Sequence, residues 1–205
     1  MKHGSEAGIL SAQAERLGAP LDEAQLARLL AYERLLLERA GPTGLVAEGD
    51  VGRIRVRHVL DSLRAAPAMA GVKDAYDLGS GAGLPGIVIA IARPDLQVGL
   101  VDSRRRRVAF LELAVAELAL ANATVLGVRA EKLTEPVDAC LARAFAPAAR
   151  AWQVAAPVLR PGGRLVYFAG RAERTEDLGT LAPVIDVLST PVLESAGPLV
   201  IMARQ

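Results

Sequence analysis

The chain has little of what many catalytic and binding classes require. One cysteine among 205 residues, Cys140, excludes an internal disulfide and a cysteine-based zinc site. It stands in an apolar strand-like run, where a buried, inert thiol is expected. Two histidines, His3 and His58, argue against a metal centre, so none is expected. Aromatic residues make up 3% of the chain, so few rings are available, among them Phe145, Trp152, Tyr167 and Phe168. No apolar run reaches the roughly 18 residues that span a bilayer. The start, Met1 to Glu6, lacks the apolar core of a signal peptide. A soluble cytoplasmic protein is expected. A one-sided charge is also missing: the formal net charge is +1, so the chain is not a uniformly basic nucleic-acid binder.

What is present is unevenly placed. The 24 basic residues are arginine except for Lys2, Lys73 and Lys132. Arg53, Arg55 and Arg57 precede His58, Arg104 to Arg107 form an unbroken run, and Arg160, Arg164, Arg171 and Arg174 surround the last strands. The acids concentrate elsewhere, as in Glu15, Asp22, Glu33 and Glu38. A local basic face on a near-neutral protein can still grip RNA phosphates, and a solvated helix face is the competing reading for each cluster.

The length suits one α/β domain with a helical extension. Leu26, Leu29, Leu30, Glu33 and Leu37 recur at helical spacing and predict a helix over 21–40 with a leucine face. Gly41-Pro42-Thr43-Gly44 ends it, and a second short helix is expected over 51–64. Beyond Gly71, strands at 75–78, 97–101, 124–128, 138–142 and 164–168 alternate with helices at 85–92, 104–120 and 147–159. That order predicts a parallel sheet covered on both faces. A helix near 173–181 and two last strands, 184–188 and 198–202, joined near Ser195 to Pro198, close the chain. The division expected is residues 1–70 as an extension and 71–205 as the body.

The sharpest feature is Asp77-Leu78-Gly79-Ser80-Gly81-Ala82-Gly83-Leu84-Pro85-Gly86. It lies between a strand and a helix, followed sixteen residues later by Asp102 at the end of the next strand. Gly81, Gly83 and Gly86 match the dinucleotide fingerprint. That motif, however, offers free helix N-terminal amides to a pyrophosphate, and Pro85 removes one of them. Asp77, just ahead of the glycines, would repel an anion. An acid, a glycine turn and a second acid suit a cationic amino-acid end and a ribose diol, which describes S-adenosylmethionine better than NAD. A glycine turn without catalytic meaning is the plain alternative.

Six segments in order resemble one family: Arg57-His58-Val59-Leu60-Asp61-Ser62-Leu63; the Asp77 to Gly86 loop; Leu100-Val101-Asp102-Ser103; Arg107-Val108-Ala109-Phe110-Leu111; Arg129-Ala130-Glu131; and Ala142-Arg143-Ala144. Over residues 20 to 172 the chain is similar to the RsmG (GidB) family, bacterial methyltransferases that modify N7 of one guanine in small-subunit ribosomal RNA. The resemblance implies a Rossmann-like sheet of seven strands, mostly parallel with the last antiparallel, and an N-terminal helical extension. It implies S-adenosylmethionine as cofactor and small-subunit rRNA or a ribosomal particle as partner, with no membrane or metal; a monomer is the simplest expectation.

The resemblance also assigns roles. Gly79, Gly81 and Leu84 hold the methyl donor, Asp102 accepts from its ribose, and Ala130 and Glu131 lie beside its adenine. Arg143 stands near the methionine end and the target base, with a salt bridge to Asp77 or Asp61 as its structural alternative. His58 and Asp61 lie against the catalytic pocket. Arg55, Arg57, Phe145 and Arg171 are the candidate RNA contacts. Guanine N7 carries a free lone pair, so transfer needs alignment rather than a base. The chain departs from the family pattern in two places. Gly41 to Val46 lacks the usual Asn-Leu-Thr, and Ala169-Gly170-Arg171 lacks the usual lysine. A methyltransferase with another acceptor, and a non-catalytic nucleotide-binding protein, therefore remain as alternatives.

Overall fold

The computed structural model describes residues 5–172, 178, 180, 184–191, 193 and 196–205. Seven strands form one sheet: β1 (Asp74–Leu78), β2 (Gln97–Val101), β3 (Ala123–Leu126), β4 (Val137–Arg143), β5 (Leu159–Phe168), β6 (Val184–Leu188) and β7 (Leu199–Ala203). Their spatial order is β3-β2-β1-β4-β5-β7-β6. The first five are parallel, and β7 runs antiparallel to both β5 and β6. Order reverses between β1 and β4, so the carboxyl ends of β1, β2 and β4 open at a switch point, where open α/β sheets bind ligands.

Among the described residues, six α-helical segments accompany the sheet: α1 (Glu6–Arg16), α2 (Glu23–Leu35), α3 (Asp61–Leu63), α4 (Gly86–Ala92), α5 (Arg105–Glu117) and α6 (Ala148–Ala155). Alternation along the strands sends side chains to opposite faces. Ala139 and Leu141 of β4 join a core with α1, α2, α4 and α5, whereas Cys140 and Ala142 join a second core with α6. Cys140 is fully buried, and burial pushes its thiol far above the ordinary range. It is the inert thiol expected.

The N-terminal helices are built onto the body. Asp22 and Gln25 form a reciprocal capping box, each accepting from the other's backbone N–H at 2.8 Å. Such a box satisfies two of the amides left orphaned at a helix start. The Gln25 amide also donates to the carbonyls of Ile91 and Ala92 at the end of α4. One residue thus starts α2 and ends α4. The two segments share a continuous core, from Leu10 and Leu29 through Ile87 to Leu100.

The leucine face differs from expectation at its end. Beyond Leu35 the chain widens into a π-type turn, Leu36–Ala40, closed by Gly41 N–H donating to Leu36 O at 2.9 Å. A wider turn rotates the face, so Leu36 is buried and Leu37 is exposed. The second helix is likewise not one α-helix: a 3₁₀ segment (Glu48–Arg53) leads into a π-type stretch (Arg55–Leu60) and then α3. Strand β5 begins at Leu159, five residues before the expected start, and α6 ends correspondingly early. The expected helix near 173–181 lies almost wholly outside the described residues, as does Ser195 of the last turn; β6 and β7 do pair. No helix among the described residues is long and apolar enough to cross a membrane, and no group of residues there could hold a metal ion.

Candidate active site

The loop between β1 and α4 folds around Asp77. Its carboxylate is buried, and Oδ2 accepts from the Gly86 N–H at 2.9 Å. A Cβ at Gly86 would stand 2.6 Å from that oxygen, so only glycine lets helix and acid meet. The amide that a pyrophosphate motif would present to its ligand is therefore held by Asp77. Oδ1 is buried without any hydrogen-bond partner. Burial raises the Asp77 carboxyl to about 6, against the opposing pull of Ser80, the Gly86 N–H and Arg143. A buried acceptor without a partner is costly.

Asp102, at the end of β2, faces the other side of the loop. Its carboxylate accepts from Gly81 N–H at 3.1 Å, Arg104 N–H at 2.9 Å and the Arg107 guanidinium at 3.1 Å. A cleft of about 240 Å³ opens over it, lined among others by Gly79, Asp102, Val128, Ala130, Glu131 and Phe145. Gly79 has φ +69°, and a Cβ there would sit 2.6 Å from the Phe145 ring. The glycine thus lets that ring close over the loop.

A second, larger basin of about 720 Å³ adjoins the first through consecutive residues of one chain segment. Phe145 lines the cleft; Arg143 and Ala144 line the basin. Ala144 takes φ +50°, a conformation uncommon outside glycine, which turns its two neighbours into different cavities. Arg57, Arg64, Arg143 and Arg171 wall the basin with Asp61 as their acid. Arg143 donates to Asp61 Oδ2 at 3.2 Å and to the Arg57 carbonyl at 3.3 Å, and lies 3.2 Å from His58 Nδ1. Asp61 Oδ1 accepts from Arg64 Nε at 2.8 Å, and the Arg64 guanidinium lies over the Phe168 ring at 5.3 Å. Burial and the neighbouring Arg143 lower His58 to about 4, so the ring is neutral at physiological pH. With Nδ1 accepting from Arg143, the proton is assigned to Nε2, which faces Asp50 Oδ2 at 3.4 Å.

The structure therefore brings Gly79, Asp102, Ala130, Glu131 and Phe145 to one cavity and Arg57, Asp61, Arg143 and Arg171 to the next. His58 joins through Arg143, whose pairing with Asp61 is the structural alternative foreseen. Leu84 is buried in the core behind the loop. Glu131 is exposed and bonded to Arg150 at 2.6 Å. Arg55 stands apart: its guanidinium grips the Glu33 carboxylate through contacts of 2.6–3.1 Å, so it serves the fold rather than the basin. Arg57 is held 3.0 Å from Asp50. Two positioning residues went unnoticed in the sequence. Tyr32 donates from its buried hydroxyl to the Ala82 carbonyl at 2.5 Å, bracing the loop. Asn122 donates to the Ala90, Arg93 and Leu96 carbonyls at the exit of α4. A buried asparagine before a strand is the one signal that could have shown the latter.

The strand order, with an acid–glycine–acid cleft at its switch point, defines the fold of S-adenosylmethionine-dependent methyltransferases. A SAM-dependent methyltransferase from Aquifex aeolicus superposes with a TM-score of 0.56 at 17% identity, covering 78% of this chain and 98% of that one. The ribosomal protein L11 methylase of Lactobacillus delbrueckii subsp. bulgaricus gives 0.58 at 14% identity, covering 73% and 79%. These likenesses are of fold. The sequence reaches further: the family described as rRNA small subunit methyltransferase G (GidB) matches residues 25–184. The Ribosomal RNA small subunit methyltransferase G of Acidiphilium cryptum is 43% identical over 178 residues, covering 84% of this chain and 82% of the relative. That of Ralstonia nicotianae is 38% identical over 208 residues, covering 95% and 93%. The chain belongs to the rRNA small subunit methyltransferase G family.

Proposed function

We propose that the chain transfers a methyl group from S-adenosylmethionine to N7 of a guanine in small-subunit ribosomal RNA. The observation that carries this is the junction at Ala144. A cleft lined by Asp102, with the buried Asp77 behind its glycine loop, lies beside a basin walled by four arginines; Phe145 and Arg143, on either side of Ala144, line the one and the other. The donor fits the residues present. Asp77 Oδ1 lacks a partner that an ammonium supplies, Asp102 answers the ribose, and Val128 to Ala130 offer an apolar edge and backbone to the adenine. When bound, S-adenosylmethionine supplies a methyl carbon made electrophilic by its sulfonium.

The rest falls to the protein. Guanine N7 attacks with a lone pair and loses no proton, so no general base is required, and a neutral His58 agrees with that. Arg143, fixed by Asp61 and His58, lines the basin two residues before Phe145 of the cleft and holds the base in line with the cleft, where positioning supplies the rate. Arg57 and Arg171 contact the backbone of an unpaired strand from which the base is turned out. Phe145 closes the cleft against water and offers a ring to the incoming base. A monomer is the simplest assembly for this reading, and a ribosomal substrate supports a cytoplasmic site of action.

Labelled S-adenosylmethionine offered to small ribosomal subunits, with the product base mapped, tests the reading. Label on one N7-methylguanine is expected. Label on protein or on another atom of RNA would overturn the acceptor assignment.

A further inference from the structure

Asp102 is almost enclosed, its side chain 4% exposed. Each carboxylate oxygen has two lone pairs. Oδ1 accepts one bond, from the Arg104 N–H, and keeps one position open. Oδ2 accepts two, from the Gly81 N–H and from Arg107 Nη1, and keeps none. A ribose diol meeting a carboxylate end-on gives one hydroxyl to each oxygen, so one of the three present donors must leave. Gly81 and Arg104 donate from backbone fixed by the glycine loop and by the start of α5. Arg107 donates from a long side chain, 34% exposed, at the cleft wall beside the exposed Arg104 and Arg129.

We propose that Arg107 competes with the donor's ribose for Oδ2 of Asp102 and is displaced when the donor binds. The inference rests on the donor-cleft reading given above. Arg107 keeps the buried acid satisfied while the cleft is free of donor, and thereby sets donor affinity from the protein's side. Because the pair exists only without the donor, its removal destabilises the free protein and leaves the complex untouched. The same free energy then appears as tighter binding. For an ion pair whose cation is one-third exposed and screened by solvent, that corresponds to about a two- to fivefold change.

The test uses S-adenosylhomocysteine as probe, with the wild-type chain, Arg107→Met, which keeps the stem without the charge, and Arg107→Lys, which keeps a cation. Calorimetry should show Arg107→Met binding the probe about two- to fivefold more tightly, with Arg107→Lys between it and the wild type. Arg107→Met should melt lower than the wild type without probe, and the gap should close at saturation, which a merely structural arginine would not produce. In the wild-type protein the guanidinium NMR signal of Arg107 should move from a slowly exchanging to a solvent-exposed state on adding the probe, which needs no variant to fold. Equal or weaker binding by Arg107→Met, a melting gap that persists at saturation, or an unmoved signal would overturn the competition while leaving the donor cleft intact. A wild-type chain that does not bind the probe at all would overturn both.

Discussion

Asp77→Asn separates what the site does for folding from what it does for its ligand. In the folded protein the Asp77 carboxyl is raised from 3.8 to about 6 by burial. Between those values the folded state holds a proton that the unfolded state has lost. The stabilising contribution is therefore complete below about pH 3.8 and disappears as pH rises through about 6. At pH 7 the buried, half-satisfied carboxylate costs on the order of 2–3 kcal/mol relative to its protonated form. An asparagine amide still accepts from the Gly86 N–H through its oxygen and carries no charge. Asp77→Asn is thus expected to be at least as stable as the wild type at pH 8 by urea unfolding, with the advantage shrinking toward pH 5. Donor binding should move the opposite way. Loss of a charge-assisted contact of about 1.5–3 kcal/mol corresponds to a dissociation constant about ten- to a hundredfold weaker. In the wild type the same contact makes donor affinity fall by up to about tenfold per pH unit below about pH 6. A variant that is less stable at pH 8 yet binds the donor normally would refute the reasoning, because Asp77 would then be a structural acid alone.

His58 is lowered to about 4, so its contribution is present above its unfolded value near 6.5 and is lost as pH falls from there through 4. Asp77 works against this over part of the window, so the difference between wild type and His58→Gln, measured by unfolding at pH 7 and at pH 4.5, isolates it; the difference should shrink in acid. Tyr32→Phe removes the buried bond to the Ala82 carbonyl and should cost about 1–2 kcal/mol in unfolding while weakening donor binding through a looser loop; unchanged values for both would show that the loop holds itself.

The parts of this architecture legible in the sequence are those where local chemistry and position agree. The alternation of short apolar runs with helical segments marks β1, β2 and β4, because parallel strands are apolar on both sides. The acid–glycine–acid spacing marks the cleft because no other residue could occupy the Gly86 contact with Asp77. What was illegible depends on partners distant in sequence. The π-type turn at Leu36–Ala40 keeps the composition of an ordinary helix, so the exposure of Leu37 could not be read from period alone. Arg55 and Arg57 look alike in a basic run, but Glu33 of α2 claims the first and leaves the second at the basin. The Arg107–Asp102 contact joins an arginine of the basic run to the acid expected at the ribose, and only the fold shows that the one occupies the other's acceptor.

The central claim is that the cleft delivers its methyl group into the arginine-walled basin, with Arg143 as the aligning residue. Donor binding and transfer to small ribosomal subunits, measured side by side for the wild type and Arg143→Ala, test it most directly. The account predicts a donor dissociation constant within a fewfold of wild type and single-turnover transfer slower by about a hundredfold or more. Transfer at the wild-type rate from a normally bound donor would contradict it.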